Sequence, residues 1–494
     1  MRHKILPIVL AAALLAGCAT VTNPVSGRKE LTVMDERSEV AEGRKAHDEV
    51  LKEYGAYPNP GLQAYVNEIG QRLARQSHRS NLAWHFTVLD SPEINAFALP
   101  GGYVYITRGL MAYLESEADL AGVIGHEIGH VTARHGAQRA TRQQTAGLGV
   151  LAATILGAVL ESRGVSGATD LAGSLSQGVA AGYIASYSRE QELQADKLGA
   201  EYLVRINYDP KNMVDVIRVL KSQEQFAADT ARAEGRNPPA QAGWLASHPS
   251  NDKRLQDIVQ IAGQYKGKYD DEGRARYLKA IDGMTFGESR EQGVTRGRHF
   301  YHEPLGIALT APDGWSVKNT PEVVALINAA GDAGLLVHVA PPGAGKTHEE
   351  IIRNVFRPEQ GRTERLALGS FPATHFAGVG RNSQGRTQGV EVTVVTGPAG
   401  QNFLLIYGAR DTRALQRARG QLREAESSFR ALTGADIAAA RPWVLKTTPY
   451  RRGSFSQLAR TSPLPGNAEQ QLRLINGVYA GGEPPPGQLV KVVE

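Results

Sequence analysis

His126-Glu127-Ile128-Gly129-His130 is the densest concentration of reactive side chains in the sequence. On an α-helix, residues four apart share a face, so His126 and His130 can each direct an imidazole nitrogen to one metal ion. Zinc accepts imidazole well, is redox-inert and acts as a Lewis acid, which suits hydrolysis. Glu127 stands beside that ligand edge, where a carboxylate can take a proton from attacking water. A catalytic zinc site needs a third protein ligand and an open position. Glu192, within Glu192-Leu193-Gln194-Ala195-Asp196, is the next candidate. Asp196 lies one helical turn further on the same face, where it could orient a ligand histidine. These spacings predict a two-helix site for one zinc ion per chain. His135 follows His130 by five residues, shares its face poorly and is not expected to be a ligand. The structural alternative is a pair of hydrogen-bonded core histidines, with Glu127, Glu192 and Asp196 on solvated faces.

The elements that must position these groups can be read coarsely. Helical periodicity runs from about Ser38 to Arg75, interrupted at Pro58 to Gly61. Trp84 to Leu89 alternates as a strand, and Gly102 to Thr107 gives a second strand signal after the Pro100-Gly101-Gly102 turn. Met111 to Arg139 reads as two helices, and the apolar stretch Leu120 to Val131 surrounds the histidine motif. Arg189–Val204, Asn212–Phe226 and Asp252–Val259 extend the helical layer. Gln143 to Leu160 is uncharged and near membrane length, yet it is broken by glycines and only modestly apolar. For residues 143–185 the expectation is a helical hairpin that covers the site, gating substrate and excluding water, or that packs against another envelope protein.

A chain of 494 residues exceeds what one core usually serves, and an apolar fraction of 41% argues against general disorder. The net charge of +5 includes Arg2 and Lys4, and no compact basic block suggests a nucleic-acid partner. Met1 to Lys4 is basic, Ile5 to Leu15 apolar, and Ala16-Gly17-Cys18 follows, which is the three-part layout of an export signal. Leu15-Ala16-Gly17-Cys18 also resembles the bacterial lipoprotein signal. That resemblance implies removal of residues 1–17 and lipidation of Cys18, with residues 18–34 as a tether. Ala19, rather than Asp, after the cysteine implies passage to the outer membrane. Cys18 is the sole cysteine, so no intrachain disulfide can form.

Asn95-Ala96-Phe97-Ala98-Leu99-Pro100-Gly101-Gly102, the His126–His130 motif and Tyr187-Ser188-Arg189-Glu190-Gln191-Glu192-Leu193-Gln194-Ala195-Asp196 are together far more specific than the zinc motif alone. With them, roughly residues 35 to 265 resemble the zinc metallopeptidases that include Ste-type CAAX prenyl endopeptidases and HtpX-like, Oma-type and BepA-like proteases. The resemblance implies a mainly α, gluzincin-like core with a small β-sheet, spanning residues 35–290. His126, His130 and Glu192 match its metal ligands and Glu127 its catalytic glutamate. It places Asn95, Ala96 and Ala98 at a strand edge where an extended substrate could pair; Asn95 could equally serve hairpin chemistry. His248-Pro249-Ser250-Asn251-Asp252-Lys253-Arg254 matches a further family segment. The histidine there can approach zinc in a latent state or stabilise the reacting oxygen, and Arg254 lies near the site. The plain alternative is a helix-capping histidine with Arg254 on a solvated face.

Strand-like runs at Val324–Ile327, Gly334–Ala340, Val390–Val395 and Asn402–Tyr407, then a helix over Asp411–Phe429, predict an α/β or α+β accessory domain at 296–430. It carries no nucleophile, metal or phosphate motif, and Trp315 reads as packing. Residues 442–494 weakly resemble a LysM module, through Tyr450 to Ala459, Leu474-Ile475-Asn476-Gly477 and Pro486 to Val492. Ser454 replaces the usual Asp, and Pro463-Leu464-Pro465-Gly466 is an unusual insertion, so peptidoglycan binding and plain scaffolding both stand. The whole predicts a multidomain, membrane-anchored endopeptidase of the Gram-negative envelope, on the periplasmic face. Its expected partners are unfolded or misassembled envelope proteins, outer-membrane assembly machinery and peptidoglycan. The principal alternative is an assembly factor or chaperone-like protein with latent proteolysis; a cell-wall hydrolase is a third class.

Overall fold

The computed structural model describes residues 19–145 and 187–494, apart from 236–243, 245–247, 249–251, 270, 322, 382–386, 452 and 454. Residues 1–18, including Cys18, and nearly all of 143–185 lie outside them. The stretch expected to be a tether is instead an antiparallel hairpin of β1 (Ala19–Thr22) and β2 (Lys29–Thr32). Asn23 explains the difference. Its Oδ1 accepts from the Val25 and Ser26 amides at 2.9 and 3.0 Å, an Asx-type turn, while its Nδ2 donates to Ala133 O at 3.2 Å.

Helix α1 (Glu36–Tyr54) starts from an Asp35 cap, and α2 (Pro60–Arg75) from an Asn59 cap with Pro60 in its first turn. Next come β3 (His85–Leu89), β4 (Ala96–Leu99) and β5 (Tyr103–Thr107), in the order β3-β5-β4. β3 runs parallel to β5 and β4 antiparallel to it, so β4 is an edge. After the short α3 (Arg108–Met111), the Ser116 hydroxyl caps α4 (Glu117–Thr132) at the Asp119 amide, and every residue of that helix is buried. α5 (His135–Thr145) follows a turn through Arg134, whose φ is +60°. α6 (Arg189–Arg205) opens with a Ser188–Gln191 capping box. α7 (Asn212–Ala233), α8 (Asp252–Gly263), α9 (Arg274–Ile281) and the two-residue β6 (Thr285–Phe286) complete this part.

The chain divides into two compact units, the second covering residues 288–442 of the described chain. That unit holds β7 (Val294–Arg296), β8 (His299–His302), β9 (Ile307–Thr310), β10 (Ser316–Asn319), β11 (Val324–Ile327), β12 (Ala333–Val339), α10 (His348–Phe356), β13 (Pro358–Leu368), β14 (Phe371–Arg381), β15 (Thr387–Thr396), β16 (Asn402–Ala409), α11 (Thr412–Ser427), β17 (Arg430–Ala431) and α12 (Gly434–Ala439). Its larger sheet runs β10-β11-β12-β16-β15-β14-β13, all antiparallel. Alternation along β12 and β16 sorts their side chains between two cores. Leu335, Val337, Phe403 and Leu405 meet Leu422 of α11, whereas Leu336, Leu404 and Ile406 meet Ile352 of α10. The unit is α+β.

The C-terminal segment forms β18 (Trp443–Pro449), α13 (Phe455–Thr461), α14 (Ala468–Ile475) and β19 (Leu489–Val493). It is not a separate module. β18 pairs with both β19 and β6, and Leu445, Tyr450, Phe455, Leu472, Ile475 and Val490 belong to the same hydrophobic core as Leu120 and Ile124 of α4. Lys491, fully buried, donates to Ala112 O and Leu114 O at 3.1 and 2.7 Å and pairs with Glu115 at 2.8 Å. Residues 443–494 are therefore part of the first unit. Among the described residues, no helix is long and apolar enough to cross a membrane.

Candidate metal centre and active site

α4 supplies His126, Glu127 and His130, and α6 supplies Glu192 and Asp196. Their approach depends on glycine. A Cβ on Gly129 would sit 2.9 Å from Ala195 O, and one on Gly199 would sit 3.1 Å from the His126 amide nitrogen. Helix axes this close let the short Glu192 side chain reach the imidazoles of the facing helix.

The four side chains His126, His130, Glu192 and His248 each offer an atom to one point, all within 4.8 Å of one another and all buried. The two Nε2 atoms of His126 and His130 are 3.0 Å apart. Glu192 Oε1 is 3.4 Å from His130 Nε2, and Oε2 is 3.6 Å from His126 Nε2. His248 Nδ1 closes the group at 3.1 Å from His126 Nε2 and 3.0 Å from Glu192 Oε1. His126 Nδ1 lies 2.9 Å from Asp196 Oδ1, an ion-pair contact whose angle falls short of an aligned hydrogen bond. A carboxylate there favours the proton on Nδ1 and leaves the Nε2 lone pair aimed inward. Convergent imidazole lone pairs and one carboxylate oxygen, shielded from water, are a donor set suited to zinc.

Charge around this point is tightly paired. Arg254 donates through Nε and NH2 to the two Asp196 oxygens at 2.8 Å each, reaches Glu192 Oε2 at 2.8 Å, and donates to His248 O at 3.0 Å. Burial acts to raise the Glu192 carboxyl, but His248, His130 and Arg254 outweigh it and hold it well below the usual range. Asp196 is lowered in the same way, with Arg254 and then His126 outweighing burial. Burial holds His130 well below an ordinary histidine, keeping it neutral. His248 moves up, because Glu192 and Glu127 outweigh burial. The solvated alternative for Arg254 and the capping alternative for His248 do not hold, since both are buried in this cluster.

Glu127 points Oε1 at Trp244 Nε1, which donates at 3.1 Å, and at His248 Nε2, 3.4 Å away. Trp244 stacks on His248 with ring centroids 4.7 Å apart. Tyr187 lies against His130 at 3.9 Å, nearly parallel. Sequence reasoning gave no role to Trp244, Tyr187 or His135. Tyr187 was within reach, as the residue preceding the helix cap of α6; Trp244 is recruited by tertiary approach, and His135 by the local turn at Arg134. Ala96 and Ala98 lie on the edge strand β4, and the Trp244 amide donates to Ile94 O at 2.8 Å just before that strand. Asn95 joins its backbone N–H and C=O to Thr107, at 3.1 and 3.0 Å, which extends the pairing of β4 with β5.

Residues 60–262 match the profile of peptidase family M48. The beta-barrel assembly-enhancing protease of Yersinia pestis is 32% identical over 212 residues, which is 42% of this chain and 40% of that protein. Its counterpart from Escherichia coli strain K12 is 31% identical over the same shares. The mitochondrial metalloendopeptidase OMA1 of Schizosaccharomyces pombe is 30% identical over 242 residues, 48% of this chain and 65% of that protein. The chain thus spans less than two thirds of the length of these curated relatives. The solution structure of cyanobacterial PsbP from Synechocystis sp. PCC 6803 aligns with 30% of this chain at 14% identity and a TM-score of 0.21, too low to carry a fold argument. The matched segment begins at Pro60 and encloses all the side chains that converge on the metal position, so the site lies within the part of this chain that is similar to peptidase family M48.

Proposed function

We propose that this chain is a zinc-dependent endopeptidase acting on unfolded or misassembled proteins of the Gram-negative cell envelope. The observation that carries the reading is the convergence of His126, His130 and Glu192 beside Glu127 in one buried group. Those three residues would hold one zinc ion. Zinc, when bound, supplies Lewis acidity toward a peptide carbonyl and toward water. Glu127 takes the proton of the attacking water at Oε1 or Oε2 and returns it to the leaving amine. Trp244 fixes the Oε1 end of that carboxylate. His248 donates toward the oxyanion when it swings from its present contacts. Asp196 and Arg254 orient His126 and Glu192. The edge of β4 at Ala96 and Ala98 takes an extended substrate by strand addition, which favours unfolded chain over compact folds.

The names of the bacterial relatives connect them with barrel assembly, which supports outer-membrane proteins and their assembly machinery as substrates and partners. Lipidation at Cys18, outer-membrane anchoring and, for the LysM-like residues 442–494, either peptidoglycan binding or plain scaffolding complete the reading. A second reading, a latent enzyme that works mainly as an assembly factor, is favoured by His248, which sits at 3.0 to 3.1 Å from the ligand atoms where an open position is needed.

The test compares zinc content and cleavage of a denatured envelope-protein mixture for the wild type and Glu127→Gln. Zinc in both with cleavage by the wild type alone, a loss on the order of 10²-fold or more, is the expected outcome. Zinc in both with cleavage in neither selects the latent reading, and absence of zinc from the wild type overturns the metal site.

A further inference from the structure

His135 lies five residues beyond His130, a spacing that on one continuous helix would not share its face. The turn at Arg134, with φ +60°, ends α4 and folds the first residue of α5 back against it. His130 Nδ1 and His135 Nδ1 are consequently 2.9 Å apart, and the two rings meet edge to face at 5.0 Å. On its other side, His135 Nε2 is 3.0 Å from Gln194 Oε1. His135 is fully buried. Three elements thus bring three polar side chains into one line that ends on a metal-facing imidazole.

We propose that Gln194 and His135 form a hydrogen-bond relay that fixes the His130 tautomer, keeping its Nε2 lone pair directed at the metal position. The proposal rests on the zinc-site reading above. Two nitrogens at 2.9 Å share a single proton, so one ring donates and the other accepts. The carbonyl oxygen of Gln194 accepts, which places a proton on His135 Nε2 and leaves His135 Nδ1 as an acceptor. His130 must then carry its proton on Nδ1, and its Nε2 is free to bind a cation. The opposite amide orientation of Gln194 would reverse every step and put a proton on His130 Nε2, blocking the ligand atom. Gln194 and His135 are positioning residues.

The relay also distinguishes the two helix ligands. His126 faces a carboxylate, Asp196, which Arg254 holds at 2.8 Å through two donors. His130 faces a ring that is held in turn by an uncharged amide, Gln194. The charged partner raises ligand basicity more than the neutral one, so His130 is the more dependent on correct geometry behind it.

The experiment uses the full chain and has two readouts. Zinc affinity is measured by chelator competition, and histidine tautomers are read from ¹⁵N shifts of the zinc-free protein labelled at histidine. His130 is expected as the Nδ1–H tautomer in the wild type. His135→Leu should weaken zinc binding about 10- to 100-fold and redistribute the His130 proton. His135→Asn, whose side-chain oxygen reaches the place of Nδ1, should recover most of the affinity. A purely structural role would not distinguish Asn from Leu in this way. Should His135→Leu fail to fold, Gln194→Leu tests the same chain of bonds from its far end, with the same expected weakening. Wild-type zinc affinity in both Leu variants, or a His130 proton on Nε2 in the wild type, overturns the relay. A wild type that binds no zinc overturns the function proposed above, and the tautomer still decides the relay.

Discussion

At the scale of single residues, the site divides into groups that local sequence displays and groups that only tertiary approach reveals. His126 and His130 are visible because one helix turn puts them on one face, and Glu192 and Asp196 repeat that spacing. Trp244 is not visible: its partner Glu127 is 117 residues away, and nothing in the surrounding segment marks an indole as a carboxylate donor. Arg254 falls between these cases. The family resemblance places it near zinc, but its bidentate hold on Asp196 comes from the structure. Removing that guanidinium leaves two buried carboxylates without their cation, which typically costs about 3–5 kcal/mol. Arg254→Met is therefore expected to lower the unfolding midpoint of the zinc-free protein. Because zinc would neutralise part of the same charge, saturating zinc should restore more of the midpoint in the variant than it adds to the wild type. Equal zinc-induced shifts in both proteins would count against Arg254 as a partner of this charge cluster.

At the scale of elements, small residues set the distance between α4 and α6. Gly129 in the middle of a helix is unfavourable by roughly 0.5–1 kcal/mol relative to alanine, so Gly129→Ala should stabilise an isolated α4. Against that, the new Cβ would lie 2.9 Å from Ala195 O and 3.1 Å from Ala195 Cα, both backbone atoms that cannot rotate away. Overpacking of this kind costs about 1–3 kcal/mol, and the steric effect should win. The expected result is a lower unfolding midpoint with weaker zinc binding, since Glu192 retreats with its helix. Unchanged zinc affinity would show that the close approach is dispensable.

The second unit shows where element reading from sequence reaches its limit. β11 was anticipated at Val324–Ile327 because apolar residues mark it, whereas β13 and β14 were not. β13 is an exposed edge carrying Glu359, Arg362, Glu364 and Arg365, and edge strands of this charge do not carry a hydrophobic pattern. On the face of this sheet toward α11, His375 of β14 lies between Glu391, at 3.7 Å, and Glu426, at 3.8 Å, and contacts the Thr393 hydroxyl at 2.8 Å. Arg419 holds Glu391 at 2.9 and 3.0 Å, and Tyr407 donates to Glu426 at 2.9 Å. Hydrogen bonds to Glu391 and then Glu426 raise the His375 pKa from 6.5 to about 9. A group whose folded pKa is raised adds stability that is complete below the unfolded value and is lost as pH rises through the folded one. The stability of residues 288–442 is thus expected to decline between about pH 6.5 and 9. Urea midpoints across that window should fall for the wild type and flatten for His375→Gln.

At the scale of the molecule, the sequence invites three successive bodies, while the chain folds as two units with one interrupted by the other. The sequence places boundaries near residues 296 and 442, but a linear sequence does not show that β18 returns to pair with β6. Whether residues 443–494 are a detachable module is a question of energy. Leu445, Tyr450, Phe455, Leu464, Leu472, Ile475, Val490 and Val493 all lie in the core that contains α4. A fully buried side chain of this kind is worth roughly 1.5–3 kcal/mol. Even the lower end of that range over these residues is comparable with the ~5–15 kcal/mol by which a whole domain is stable. Deletion would also expose the carbonyls of Ala112 and Leu114 that Lys491 now satisfies, and leave Glu115 without that cation. A chain ending at Pro442 is therefore expected to lose the cooperative unfolding transition of the first unit and to bind no zinc. The transition of residues 288–442, whose sheet and cores draw on no residue beyond 442 except through the chain itself, should persist. Calorimetry of the intact and shortened chains separates these outcomes. Two surviving transitions with zinc retained would make the C-terminal segment an appendage, whereas loss of the first alone makes it a structural wall of the first unit.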